Sequence, residues 1–94
     1  MKVVFVLMHA YESPDDIAAA QALCAQVVAE GDVPVEPHTA LDSIVLDGAQ
    51  RQRMAVELLK RCDEVLACPH SSMTTVLALE AARMFGKPVR YAQG

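Results

Sequence analysis

The chain alternates between two apolar patterns. Residues 2–8 (KVVFVLM) are apolar at every position after the lysine. A run that must be buried on both faces is the habit of a central parallel strand. Shorter strand runs are predicted at Val33-Pro34-Val35, at residues 64–68 (EVLAC) and at Pro88-Val89-Arg90-Tyr91. Pro34 suits an edge strand, because proline has no N–H to give to a ladder. Between these runs the apolar residues return every three or four positions, the period of an amphipathic helix.

The helix ends carry their own signals. Ser13-Pro14-Asp15-Asp16 starts the first helix with a capping serine, a proline in the first turn and two acids at the positive end of the helix dipole. Ile17, Ala20, Cys24, Val27 and Val28 form its stripe, and Gly31 ends it. Residues 36–46 show no period and read as a connection with room for one helical turn. Asp47-Gly48 opens the second long helix, with Met54, Leu58 and Cys62 on one stripe and Ala55 and Leu59 beside it. The third runs from Ser71-Ser72 through Thr75, Val76, Leu79 and Ala82 to Gly86. The order βαβαβαβ gives a parallel sheet with right-handed crossovers.

Length and composition narrow the function classes. At 94 residues the chain is one domain, 1–94. Its net charge of −4 and scattered lysines and arginines leave no basic stripe for nucleic acid. The first apolar run is too short to span a membrane. Cys24, Cys62 and Cys68 have no repeated spacing and no CxxC pair, so neither a disulfide framework nor a cysteine metal site is expected. The expected setting is the reduced cytoplasm, and no cofactor is implied.

In an open parallel sheet ligands bind beyond the carboxyl ends of the strands, where strand order reverses. All three histidines fall in segments that follow strands: His9, His38 and His70. Imidazole there can ligate a metal, move a proton, bind a polar ligand, or be a plain loop residue. The metal reading is the least expected, since three separate loops rarely converge. Ser71 and Ser72 open a helix whose free N–H groups can take an anion or simply be capped. Tyr11 can stack on a ligand or pack over its loop. Cys68 next to His70 can be read as a nucleophile, but a small buried strand residue is the better reading.

Several of these segments together resemble a family. His9-Ala10-Tyr11, Val35-Glu36-Pro37-His38, the run Leu58-Leu59-Lys60-Arg61-Cys62-Asp63-Glu64-Val65, and the helix from Ser72 that ends in Gly86-Lys87-Pro88-Val89 are similar in order and spacing to the nucleoside 2-deoxyribosyltransferase-like proteins. The resemblance implies a flavodoxin-like, Rossmann-like three-layer α/β sandwich with a four-stranded parallel sheet in the order 2-1-3-4. It implies a nucleoside or nucleotide in the cleft and a homo-oligomer. In active members a glutamate on the last helix attacks the anomeric carbon, a task suited to a carboxylate because the transition state is oxocarbenium-like. Counting back from Gly86, that position here is Ala78. Glu80 is two residues on, about 200° around a helix, and so faces the other way.

The expectation is therefore a protein that binds a nucleotide, nucleoside or phosphorylated sugar without the usual nucleophile. Tyr11, His38, Ser71 and Ser72 are the expected contacts, with His9 and His70 next. The alternatives are an N-glycosidic hydrolase or transferase with a replaced nucleophile, such as Glu36, Asp42 or a histidine, and an assembly module with no small ligand.

Overall fold

The computed structural model describes residues 1–8, 13–68 and 73–92, with 73–75 described by backbone alone. The elements are β1 (Val3–Leu7), α1 (Pro14–Ala29), β2 (Val33–Val35), α2 (Pro37–Leu41), α3 (Gly48–Arg61), β3 (Glu64–Ala67), α4 (Met73–Met84) and β4 (Val89–Tyr91). All strand pairs are parallel, and the sheet order is β2-β1-β3-β4. This is the α/β arrangement and strand order expected from the sequence.

Side chains of successive strand residues point to opposite faces, so each central strand feeds two cores. On one face Val4, Val6 and Leu66 are fully buried with Val27 of α1, and Leu23 and Cys24 pack against them. On the other, Phe5, Leu7, Val65 and Ala67 meet Leu59 and Cys62 at the end of α3 and Ala82 of α4. A fully buried valine or leucine stabilises by about 1.5–3 kcal/mol.

Local chemistry sets the helix ends. Ser13 accepts from the Asp16 N–H, and Asp16 accepts from the Ser13 N–H, a reciprocal cap. Asp47 and Gln50 repeat this at α3. Gly31 and Gly86, with φ of 86° and 67°, follow the ends of α1 and α4 in the left-handed region. The next residues, Asp32 and Lys87, return their N–H groups to the carbonyls of Val27 and Ala82 at 3.1 and 2.8 Å.

Some stripe residues lie outside the cores. Val28 and Ile17 of α1, Met54 of α3 and Val76 of α4 are exposed, and Leu23 packs inward instead. The α1 contact runs through positions 20, 23, 24 and 27, and Val28 sits about 100° from Val27 around the axis. The connection after β2 contains a definite short helix, α2, in place of a single unplaced turn. No helix among the described residues is long and apolar enough to cross a membrane.

Asp63 and Asp32 hold the amino edge of the sheet. Their carboxylates accept from the N–H groups of Val3 at 2.7 Å and Lys2 at 2.9 Å. Arg90 on β4 bridges Glu30 at the end of α1 and Glu64 at the start of β3, with Nη1 at 3.0 Å from Glu30 Oε2 and Nε at 3.4 Å from Glu64 Oε1. The hydrogen bond from Arg90 holds the Glu30 carboxyl below its ordinary range. A depressed carboxyl pKa stabilises the fold above the unfolded-state pKa, and that contribution is lost as pH falls through the folded value. Glu30→Gln should therefore melt slightly below wild type at pH 7, with the gap narrowing as the pH falls below the ordinary carboxylate range, as followed by circular dichroism.

Candidate functional site

A cleft of about 310 Å3 opens beside the carboxyl end of β1, on the face covered by α3 and α4. Phe5, Leu7 and Met8 form its floor at the sheet. Ala55, Val56 and Leu59 of α3 and Leu77 and Ala78 of α4 form apolar walls. The polar groups gather toward α2 and the start of α3: Glu36, His38, Arg51 and Gln52. The volume and the mostly apolar lining with a few polar groups are those of a small-molecule site.

Glu36 is the one buried charged residue among those described, at 6% exposure. Its carboxylate caps α2. Oε1 accepts from the His38 N–H at 2.9 Å, and Oε2 accepts from the Thr39 N–H and the Thr39 hydroxyl, both at 2.8 Å. The neighbouring Pro37 has no N–H to satisfy and presets the first helical turn. Burial, with the Glu36 charge second, pushes the Cys24 thiol up. Burial likewise raises Cys62. Both thiols are therefore poor nucleophiles, since the thiolate is the reactive form. Arg51 reaches across the mouth to the carbonyls of Leu41 and Ile44 at 3.4 and 3.5 Å, long bonds that tie the connection after α2 to α3.

Of the residues expected from sequence to contact a ligand, His38 lies at the cleft. Tyr11, His9, His70, Ser71 and Ser72 fall outside the described residues. Met8, the residue before the segment 9–12, lines the cleft. Glu80 is exposed, while Ala78 faces the cleft and Leu79 and Ala82 pack into the core. Asp42 is exposed and outside the lining. Arg51, Gln52 and Met8 were not among the expected residues. Glu36 was considered only as a possible acid, although Glu36-Pro37 before a short polar run already carried a cap-and-proline signal. Among the described residues no group of three or more His, Cys, Asp or Glu side chains could hold a metal ion.

Removing the cap should cost stability. Glu36→Ala removes the carboxylate that accepts from the His38 and Thr39 N–H groups of α2, and we expect a loss of about 1–2 kcal/mol in a urea titration.

The family model described as a domain of unknown function (DUF7768) matches residues 3–92. No curated protein matches the chain. Among solved structures, a 2-desoxiribosyltransferase from Leishmania mexicana superposes with a TM-score of 0.78 at 20% identity, covering 97% of this chain and 63% of that one. The 2-deoxyribosyltransferase from Bacillus psychrosaccharolyticus gives 0.77 at 16% identity, covering 95% and 70%. The Clostridium botulinum CMP N-glycosidase gives 0.70 at 20% identity, covering 96% and 67%. The chain thus spans roughly two thirds of the length of these structural relatives, 63% of the first. With the family match running from β1 to the residue after β4, the chain belongs to the DUF7768 family of domains of unknown function, on a nucleoside 2-deoxyribosyltransferase-like fold.

Proposed function

We propose that this domain binds a nucleoside, nucleotide or phosphorylated sugar in the cleft and does not cleave it. The observation that carries the proposal is Ala78 in the cleft wall, where the resemblance expects a glutamate. A methyl group cannot attack an anomeric carbon or stabilise an oxocarbenium ion. The remaining lining suits binding. Apolar walls from Val56, Leu59 and Leu77 accept the face of a base or sugar, while His38, Arg51 and Gln52 offer donors at one side. Ser71, Ser72 and the amides beside them would take a phosphate, and Tyr11, His9 and His70 would complete the contacts. The structural relatives support the ligand class in this reading, since they are named for deoxyribosyl transfer and as a CMP N-glycosidase.

An enzyme with a replaced nucleophile is the competing reading. Among the described residues Glu36 is the carboxylate at the cleft, but it already receives three hydrogen bonds as the α2 cap. Hydrogen bonds to the charged form stabilise the ground state of a carboxylate, which opposes its use in attack. The described residues therefore favour binding alone.

Thermal unfolding against nucleosides, nucleotides and sugar phosphates tests the proposal. A ligand at about one hundred times its dissociation constant adds about 2.7 kcal/mol. In a domain of this size that raises the melting temperature by about 10–20 °C. No shift with any compound at millimolar concentration would end the binding reading. Chromatography of the same mixtures should show every compound intact after long incubation with wild type. Release of base by wild type would overturn the claim that the nucleophile is missing. Ala78→Glu restores the carboxylate at that position and is expected to bring measurable base release from the compound that gave the shift.

A further inference from the structure

The two edges of the sheet are built differently. In β2, Val33 and Val35 face β1, with the Val33 N–H on the Lys2 carbonyl at 2.9 Å, so the outward residue is Pro34. Proline offers no N–H, and this edge is closed to a further strand. At β4 the register is the reverse. The Val65 N–H bonds the Pro88 carbonyl at 2.9 Å, and the Ala92 N–H bonds the Ala67 carbonyl at 2.8 Å. In a parallel ladder this phase turns Arg90 toward β3 and leaves both the N–H and C=O of Val89 and of Tyr91 pointing away from the sheet.

Beside that edge lies a groove of about 240 Å3 lined by Leu79 and Arg83 of α4, Lys87, Val89 and Tyr91. Tyr91 is 58% exposed. The side chains of Arg83 and Lys87 form no ion pair or hydrogen bond among the described residues. The acids near β4 are already engaged: Glu30 and Glu64 hold Arg90 on the opposite face of the sheet.

We propose that the β4 edge and this groove dock an extended acidic segment of another protein, which adds as a fifth strand. Main-chain hydrogen bonds to Val89 and Tyr91 supply the pairing. Alternate side chains of the segment enter the groove, where acids meet Arg83 and Lys87 and apolar residues meet Leu79 and Tyr91. Charge argues against a second copy here, because a two-fold axis at this edge would bring the Arg83 and Lys87 of both copies together. The inference is independent of the cleft, whose lining shares no residue with this groove.

The test uses the whole chain, labelled with 15N, and capped peptides of about eight residues, long enough for one strand. One alternates glutamate with valine, and its counterpart replaces glutamate with lysine. The acidic peptide should slow amide exchange of Val89 and Tyr91 by about tenfold or more, and the lysine peptide should not. Tyr91→Pro removes an outward N–H without touching the β3 ladder and should weaken binding by about fivefold or more. The double variant Arg83→Glu, Lys87→Glu should reverse the peptide preference. Equal binding of both peptides, binding without protection of Val89 and Tyr91, or no binding at millimolar peptide would overturn the proposal. So would the same spectral changes with inorganic phosphate alone, which would make the groove a small-anion site. Protection of these amides that rises with protein concentration in the absence of peptide would assign the edge to a second copy and also overturn it.

Discussion

The parallel pairing of β1 with β3 is the constraint on which the molecule depends. Val4, Val6, Leu66 and Ala67 have no exposure, and Phe5 and Val65 have almost none. Strands buried on both faces need a helix layer on each side, because neither face can be left to water. α1 supplies one layer and the end of α3 with α4 supplies the other. The amino ends of the strands are then fixed by carboxylates rather than by packing. Asp63 and Asp32 receive the first N–H groups of the chain, and Arg90 joins the end of α1 to β3 and β4.

Fixing the amino end leaves the carboxyl end to build a site. The strand order turns back between β1 and β3, and the helices that follow these two strands, α1 and α4, lie on opposite faces of the sheet. The cleft occupies this region on the α3 and α4 side. Among the described residues its one buried carboxylate serves structure. Glu36 ends β2, starts α2 and closes three donors, and the short helix then places His38 and Leu41 against the cleft. On the α4 side the wall is apolar, made by Leu77 and Ala78.

The edges show a second asymmetry. One is closed by a proline in the outward register, and the other presents a phenol, two cations whose side chains have no partner among the described residues, and four backbone groups. Exposed edges invite pairing unless something blunts them. The difference between Pro34 and the pair Val89 and Tyr91 is a difference of register and residue type, not of strand length, since both strands have three residues.

The sequence by itself determined the element order, the parallel sheet and most helix ends, because these rest on local causes. Alternation of apolar period, Ser13 with Asp16, Asp47-Gly48, and glycines at 31 and 86 each act over a few residues. It also placed Ala78 and Glu80 on opposite sides of α4, since that follows from helix geometry alone. It brought His38 to the candidate site through the rule for strand ends. Tertiary structure decided the rest. Which apolar residues of each stripe are buried, with Leu23 inward and Val28 outward, depends on how α1 lies over the sheet. The Glu36 cap is local, made with His38 and Thr39, but Arg51 and Gln52 came to the cleft beside Phe5, Leu7 and Ala78 because residues far apart in the chain were folded together, and no local pattern encodes that meeting.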